Sequence, residues 1–411
     1  NINTTNQFSF YGQSAASSYY DISGANTSST LGIYASQIGN RETTWEQDIV
    51  TNVGLDATIF RNKIDLSVEW YKKAISGLLF QKLPDPTQQG PAQPFVNAGN
   101  IENTGIDASL TYHGSLSGDL KFDVTGTFTS YNNKVVSLPE GRKYIDQGSS
   151  GSARIGAYSR MQPGEALGAF YGFEVIGLFQ NNAEIAKSPT QEAAAPGRLK
   201  FRDVNGDGAI TQDDRTFFGN PNPNFTSGLF ISLNYKNFDF STFLYASVGN
   251  DVINYVRYWK DFPAVFDGAV SKDAVYNSAI LVNSQTGERT DVNDPDAEVA
   301  NPNAKVPVVE RGANFSNSTQ FSSYYLEDGS FLKMKSLILG YTIPSESLKR
   351  FGIDRLRVYV QAANLFTITG YTGLDPELIN SDVGNNTNFG IDFGNYPANQ
   401  TSLIFGINLS F

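Results

Sequence analysis

Cysteine is absent from the 411 residues, histidine occurs once, methionine twice and tryptophan three times. Without thiols there are no disulfides, thiolate metal centres or cysteine nucleophiles. A single histidine, His113, excludes a multi-histidine metal site and gives a Ser-His-Asp triad one residue to hang on. Its place before Gly114 reads as a solvated turn position. No apolar run approaches the roughly 18 residues that a membrane-crossing helix needs, and mean hydropathy is −0.29. Positive charge is scarce: 30 Lys and Arg against 41 Asp and Glu leave a net charge of −11, which speaks against a nucleic-acid partner. The chain starts Asn1-Ile2-Asn3-Thr4, with no initiator Met or signal-like segment, and reads as a fragment or a processed chain.

Aromatic residues, at 13%, and glycine, with 38 copies, are plentiful. Counting back from Phe411, every second residue is apolar: Leu409, Ile407, Phe405, Leu403. Ser410, Asn408 and Gly406 fill the other phase, with Ile404 as the exception. Period two gives a strand one apolar and one polar face. A chain that ends on such a strand, aromatic last, reads as the closing strand of an outer-membrane barrel. The bland reading is an edge strand of a soluble sandwich.

The same pattern forms four hairpins. They are Val53–Ile59 with Ile64–Trp70, Ile106–Tyr112 with Leu120–Phe128, Leu229–Tyr235 with Phe238–Leu244, and Phe331–Ile343 with Leu356–Ala362. Strands of roughly 9–13 residues suit a tilted membrane crossing. Between hairpins lie long Gly-, Pro-, Asn- and Asp-rich stretches, Lys73–Asn103, Asn132–Asn224, Asn250–Ser322 and Thr369–Thr401. Short turns at one end and long loops at the other are the asymmetry of a barrel, with the turns periplasmic and the loops extracellular. The expected fold is all-β, a transmembrane antiparallel barrel.

Several phrases carry a family resemblance: Thr44-Trp-Glu46 before Asn52-Val-Gly-Leu-Asp56, Asn97-Ala-Gly-Asn-Ile-Glu-Asn-Thr-Gly-Ile106, Gly168-Ala-Phe-Tyr-Gly172, Gly177-Leu-Phe-Gln180, Gly219-Asn-Pro-Asn-Pro223, Tyr325-Leu-Glu-Asp-Gly-Ser-Phe-Leu-Lys333, Gly340-Tyr-Thr-Ile-Pro344, Asn364-Leu-Phe366 and Asp375-Pro-Glu377. In this order and spacing the chain resembles the C-terminal half of the SusC/RagA family of TonB-dependent outer-membrane transporters. The resemblance implies a barrel of about 22 strands when complete. It also implies an N-terminal plug upstream of this sequence, energy from TonB, a SusD-like surface lipoprotein as lid and cargo of oligosaccharides or peptides. A dimer of transporter–lipoprotein pairs is a further implication.

One loop carries chemistry of its own. Asp203-Val-Asn205-Gly-Asp207-Gly208-Ala209-Ile210-Thr211-Gln-Asp-Asp214 reads as a calcium loop. Asp203, Asn205 and Asp207 stand at positions 1, 3 and 5, the Ala209 carbonyl at 7, Thr211 at 9 and Asp214 at 12. Gly208 allows the sharp turn and Ile210 anchors the loop to a neighbour. An Asx/Gly turn that needs no metal is the alternative. Asp213 and Asp214 are adjacent, a poor arrangement for a glycosidase acid and nucleophile, so no enzyme is expected. Trp70 reads as an interfacial girdle residue. Tyr255, Tyr258 and Trp259, in a long loop, are the candidates for contact with lid or cargo. The rival functions are a calcium-dependent adhesion module, soluble without detergent, and a passive porin.

Overall fold

The alternation of the C-terminal strand recurs through one antiparallel sheet in the computed structural model of the chain. It describes all residues except 1–6, 13–18, 21–29, 32, 82–91, 148–153, 264–269, 349, 351, 378–388 and 395–399. Nine long strands cross the sheet in chain order: β1 (Gln47–Ile59), β2 (Ile64–Ser76), β3 (Asn100–Ser117), β4 (Leu120–Ser137), β5 (Phe225–Tyr235), β6 (Phe238–Val248), β7 (Phe331–Ile343), β8 (Arg355–Ala363) and β9 (Ser402–Ser410). The short strand Thr367–Thr369 adds to β7 beyond the end of β8. No helix among the described residues is long and apolar enough to cross a membrane.

The pairing registers show what the alternation accomplishes. One row reads Ile59, Ile64, Tyr112, Val124, Ile231, Thr242, Leu337, Ala362, Leu403 across all nine strands. Its only aliphatic hydroxyl, on Thr242, donates to the Ser336 carbonyl at 3.0 Å. The adjacent row reads Thr58, Asp65, Thr111, Thr125, Phe230, Phe243, Ser336, Ala363, Ser402. There, Thr58 donates to Asp65 at 2.7 Å and Thr111 bonds Thr125 at 2.9 Å. The adjacent row turns aromatic at Phe230 and Phe243, so the contrast is sharpest in β1–β4, where a one-residue slip would move a polar set into the apolar face. Trp70 is the last apolar residue of the outer face of β2 before Lys72, at the upper rim of the band.

Two expectations about the wall need correction. β3 and β4 are 18 residues each, longer than the strands read from periodicity. Their extensions find main-chain partners in the loops above: Val135 N–H donates to Glu165 O at 2.9 Å and Gly164 N–H to Val135 O at 2.8 Å. Backbone satisfied by loop rather than water lets a strand continue past the apolar band. His113 is not in a turn; it lies within β3 on the polar face, its Nδ1 2.6 Å from Asp123 and its Nε2 2.9 Å from Asp65.

The long connections, expected as irregular loops, build a head above one end of the wall. Its core gathers Phe170, Phe173, Leu199, Phe201, Ile253, Phe321 and Tyr325 from segments far apart in the chain. Phe173 stacks on Phe201 with centroids 5.0 Å apart, and Phe315 meets both rings edge-on. Arg160 is clamped between the Tyr144 and Tyr171 rings, 3.5 and 3.7 Å from their centroids, while both guanidinium arms reach Asp146 at 2.6 and 3.0 Å.

Candidate functional site

The head opens in a polar cleft of about 640 Å³ whose walls include Arg257, Tyr276, Asn303, Lys305, Asp328 and Thr372. Tyr276 ends the helix Lys272–Tyr276, which starts with the Ser271 hydroxyl accepting from Ala274 N–H at 2.9 Å. The residue is 75% exposed. Arg257, on the helix Val256–Asp261, donates to Asp261 at 3.1 Å and to the Tyr324 carbonyl at 2.7 Å. Burial works against its charge, but Tyr324, Asp261 and Glu327 outweigh that and hold the guanidinium above its ordinary pKa. Glu327 accepts from Asn254 at 3.0 Å and from the Thr372 N–H at 2.8 Å, tying the floor of the cleft to the last loop. Charged and amide side chains thus share the cleft with one exposed aromatic residue.

Two of the three residues expected to make contact from this loop are turned into the core. Tyr255 and Tyr258 are 2% and 4% exposed, so the expectation that they contact lid or cargo is corrected. They are stacked at 5.0 Å in the core, three residues apart and therefore on one face of the helix. Desolvation pushes the Tyr255 phenol up to about 12. Trp259 packs edge-on against Tyr258 and is only partly buried, with Arg154 over its ring at 5.4 Å. The one-residue step from Tyr258 back to Arg257 separates core from cleft.

In the acidic loop the two ends come together and the middle closes on itself. Asp203 accepts from Gly206 N–H at 2.7 Å and Gly208 N–H at 2.9 Å. Asn205 and Asp207 bond each other: Asn205 Nδ2 donates to Asp207 at 3.0 Å, and Asp207 N–H to Asn205 Oδ1 at 2.9 Å. The Thr211 hydroxyl accepts from Asp213 N–H at 3.2 Å, capping the turn Gln212–Asp214. Ala209 donates its N–H to Asp207 at 2.9 Å. Ile210 is buried in the head core, the anchor expected of it. Asp214 is fully buried, with amides of Val204 at 2.9 Å and Thr211 at 2.7 Å on its two oxygens. Burial opposes its ionisation, but the Thr211, Val204 and Asn205 amides and the neighbouring Asp203 carboxyl hold its pKa below the usual range. Among the described residues no group of three or more acidic or histidine side chains converges as a metal cage. Of the residues expected as ligands, Asp203 and Asp214 neighbour each other with backbone amides on the oxygens of both, while Asn205 and Asp207 bond each other.

Sequence reasoning missed how the quoted phrases bond. The Asn97 side chain accepts from Thr44 N–H at 2.7 Å and donates to the carbonyls of Thr44 and Gly77 at 2.9 and 2.8 Å. It thereby clips the entry of β1 to the loop after β2. Lys333 likewise meets Asp375-Pro-Glu377, with its ammonium 2.8 Å from Asp375.

No family model matches the chain. TonB-dependent receptor P3 of Formosa agariphila is 31% identical over 386 residues, 92% of this chain and 36% of its own length. TonB-dependent receptor SusC of Bacteroides thetaiotaomicron is 27% identical over 383 residues, 90% of this chain and 32% of its own. In fold, the RagAB peptide transporter superposes with a TM-score of 0.72 at 22% identity, over 99% of this chain and 39% of that one. The chain thus spans about a third of the length of the curated relatives it matches. With the two-faced wall, these matches place the chain in the SusC/RagA family of TonB-dependent outer-membrane transporters, as part of a membrane-embedded β-barrel.

Proposed function

We propose that the chain supplies part of the wall and the outer loops of a TonB-driven importer of nutrient oligomers, oligosaccharides foremost. The observation that carries this reading is the apolar row running through nine strands beside a row that is polar at Thr58, Asp65, Thr111, Thr125, Ser336 and Ser402, a wall between lipid and a passage. Such a wall gives no support to a soluble adhesion module. β1 and β9 each have one edge without a strand partner among the described residues, and lipid satisfies no backbone group. In this reading, strands and a plug from the remaining length seen in the relatives close the barrel. A SusD-like lipoprotein covers the loop end, and such pairs assemble as dimers. The relative named a peptide transporter makes peptides the second cargo class.

Uptake by the full receptor with its lipoprotein, in cells with and without TonB, tests this directly. Uptake that persists without TonB would make the protein a passive porin. For cargo, a neutral hexasaccharide and a hexapeptide are titrated against the purified receptor. Tyr276→Ala and Lys305→Ala are each expected to weaken oligosaccharide binding about tenfold, roughly the loss of one ring or charged contact. Binding of the peptide alone would reverse the cargo assignment.

We also propose that calcium bridges Asp203 and Asp214 and stiffens the head without taking part in transport. Two neighbouring carboxylates invite a cation or a shared proton. Millimolar calcium should then raise the melting temperature of the head relative to chelator, and Asp203→Asn should abolish the difference. Equal melting in calcium and chelator would leave the loop as an amide-closed turn.

A further inference from the structure

We propose that Lys333, Lys335, Asp375 and Glu377 form a releasable latch between the barrel wall and the segment 370–377, and that the latch opens when cargo passes. This rests on the import reading above.

The latch begins with a register slip. Along β7, strict alternation would put Lys335 and Ser336 on opposite faces. Instead Ser336 pairs with Phe243 and Met334 with Leu244, which leaves Lys335 as the extra residue of a bulge. Lys333 pairs with Tyr245 in the polar, interior register, and Lys335 lies 5.7 Å from the Tyr245 ring. Two ammonium groups two residues apart thus face the interior at the loop end of the wall. The last loop supplies the counter-charges. Lys333 Nζ donates to both Asp375 oxygens at 2.8 and 2.9 Å and to Glu377 at 2.9 Å, and Lys335 bonds the other Glu377 oxygen. Glu377 N–H donates back to Asp375 at 2.9 Å, which turns both acids the same way. Lys333 is 1% exposed and Asp375 6%. As a set the four charges cancel.

Charge is a poor choice for permanent glue. A buried ion pair gives little over a well-packed apolar contact, yet losing one partner is heavily penalised. It is a good choice for a contact that must be specific when closed and stable when open, because all four groups are fully solvated once apart. The same segment is tied to the head through Tyr371, whose hydroxyl donates to Asp392 at 2.6 Å, and through the bonds of Thr372 to Glu327. Gly370 and Thr372 line the polar cleft. The segment therefore links cleft to wall, and the latch is the link on the wall side.

Two variants of the full receptor with its lipoprotein test this. Asp375→Asn with Glu377→Gln removes both counter-charges. The expected result is a severalfold rise in ion leak through planar bilayers and faster proteolysis within 370–377. In the second variant, Lys333→Cys with Asp375→Cys, a short bis-maleimide joins the two thiols; this chain has no cysteine of its own. Cross-linking should lower uptake at least tenfold against the same variant left unlinked, and heat-modifiable migration on gels reports that the barrel is folded. Unchanged leak in the first variant, or unchanged uptake after cross-linking in the second, overturns the latch. TonB-independent uptake by the unmodified receptor would overturn the import reading instead, and the leak and proteolysis arms still judge the latch.

Discussion

On the outer face of the wall large side chains stand open, with Phe405, Ile407 and Phe411 77%, 70% and 90% exposed; in the head Phe170, Phe201 and Tyr325 are 0%, 2% and 0% exposed. The residue types are alike and their fates opposite. The wall relies on lipid to cover its apolar band and spends its hydrogen bonds between neighbouring strands. The head has only itself, so rings from distant segments cover one another. Stability in the wall is therefore a property of protein and membrane together, while in the head it is a property of packing.

Truncating the head core should have the largest effect. Phe201→Ala removes a buried ring stacked on Phe173 and touching Phe315, at a cost of about 3–5 kcal/mol. Denaturant titration with limited proteolysis should show the head opening while the sheet keeps its heat-modifiable migration. Loss of both together would mean that wall and head fold as one cooperative unit. The wall answers to sidedness instead. Val360→Arg, on the apolar face between Leu339 and Phe405, should cost about 2–4 kcal/mol in bilayers. Gln361→Arg, one residue along, should stay within about 0.5 kcal/mol. Equal costs at the two positions would mean that the faces have been assigned wrongly.

Asp214 gives the head a pH dependence that the apolar band lacks. Its carboxyl titrates below the ordinary range because backbone amides outweigh burial. A depressed pKa contributes stability above the ordinary carboxylate pKa, and that contribution falls away as pH drops through the folded value. Acid should therefore loosen the 203–214 turn in the head. Asp214→Asn should cost about 1–3 kcal/mol at neutral pH by leaving an amide without its acceptor, and should flatten the acid limb of the head's melting curve. An unchanged limb would assign the acid sensitivity to other carboxylates.

The hairpins were legible because lipid imposes one rule on every strand, and the rule is written at period two. Ile64 to Trp70 obeys it residue by residue, and Leu403 to Phe411 departs from it only at Ile404. The head was not legible because no such rule applies there. Phe170, Phe201 and Phe321 come from three short segments with no common period, and Lys333 finds Asp375 across 42 residues. The acidic loop was readable as a turn, since Asx and Gly chemistry is local, but its spacing alone did not show that Asn205 and Asp207 bond each other. Tyr255 and Tyr258 carried a usable signal: a spacing of three with Arg257 between them marks one buried face of a helix.

The smallest effect should fall where the two regions meet. Lys72 and Glu102 form an ion pair at 2.9 Å, with side chains 44% and 34% exposed. They lie on the outer face just beyond Trp70, where the apolar band has ended and the head has not begun to cover the wall. Water and screening reach the pair, so Lys72→Met should change stability by no more than about 0.5 kcal/mol, and a double-mutant cycle with Glu102→Gln should give a coupling of the same order. A coupling well above about 1 kcal/mol would show that the pair sits in a low-dielectric layer. The lipid band would then extend past Trp70, and the border between the membrane-solvated and self-packed regions would move up the wall by a turn of the alternation.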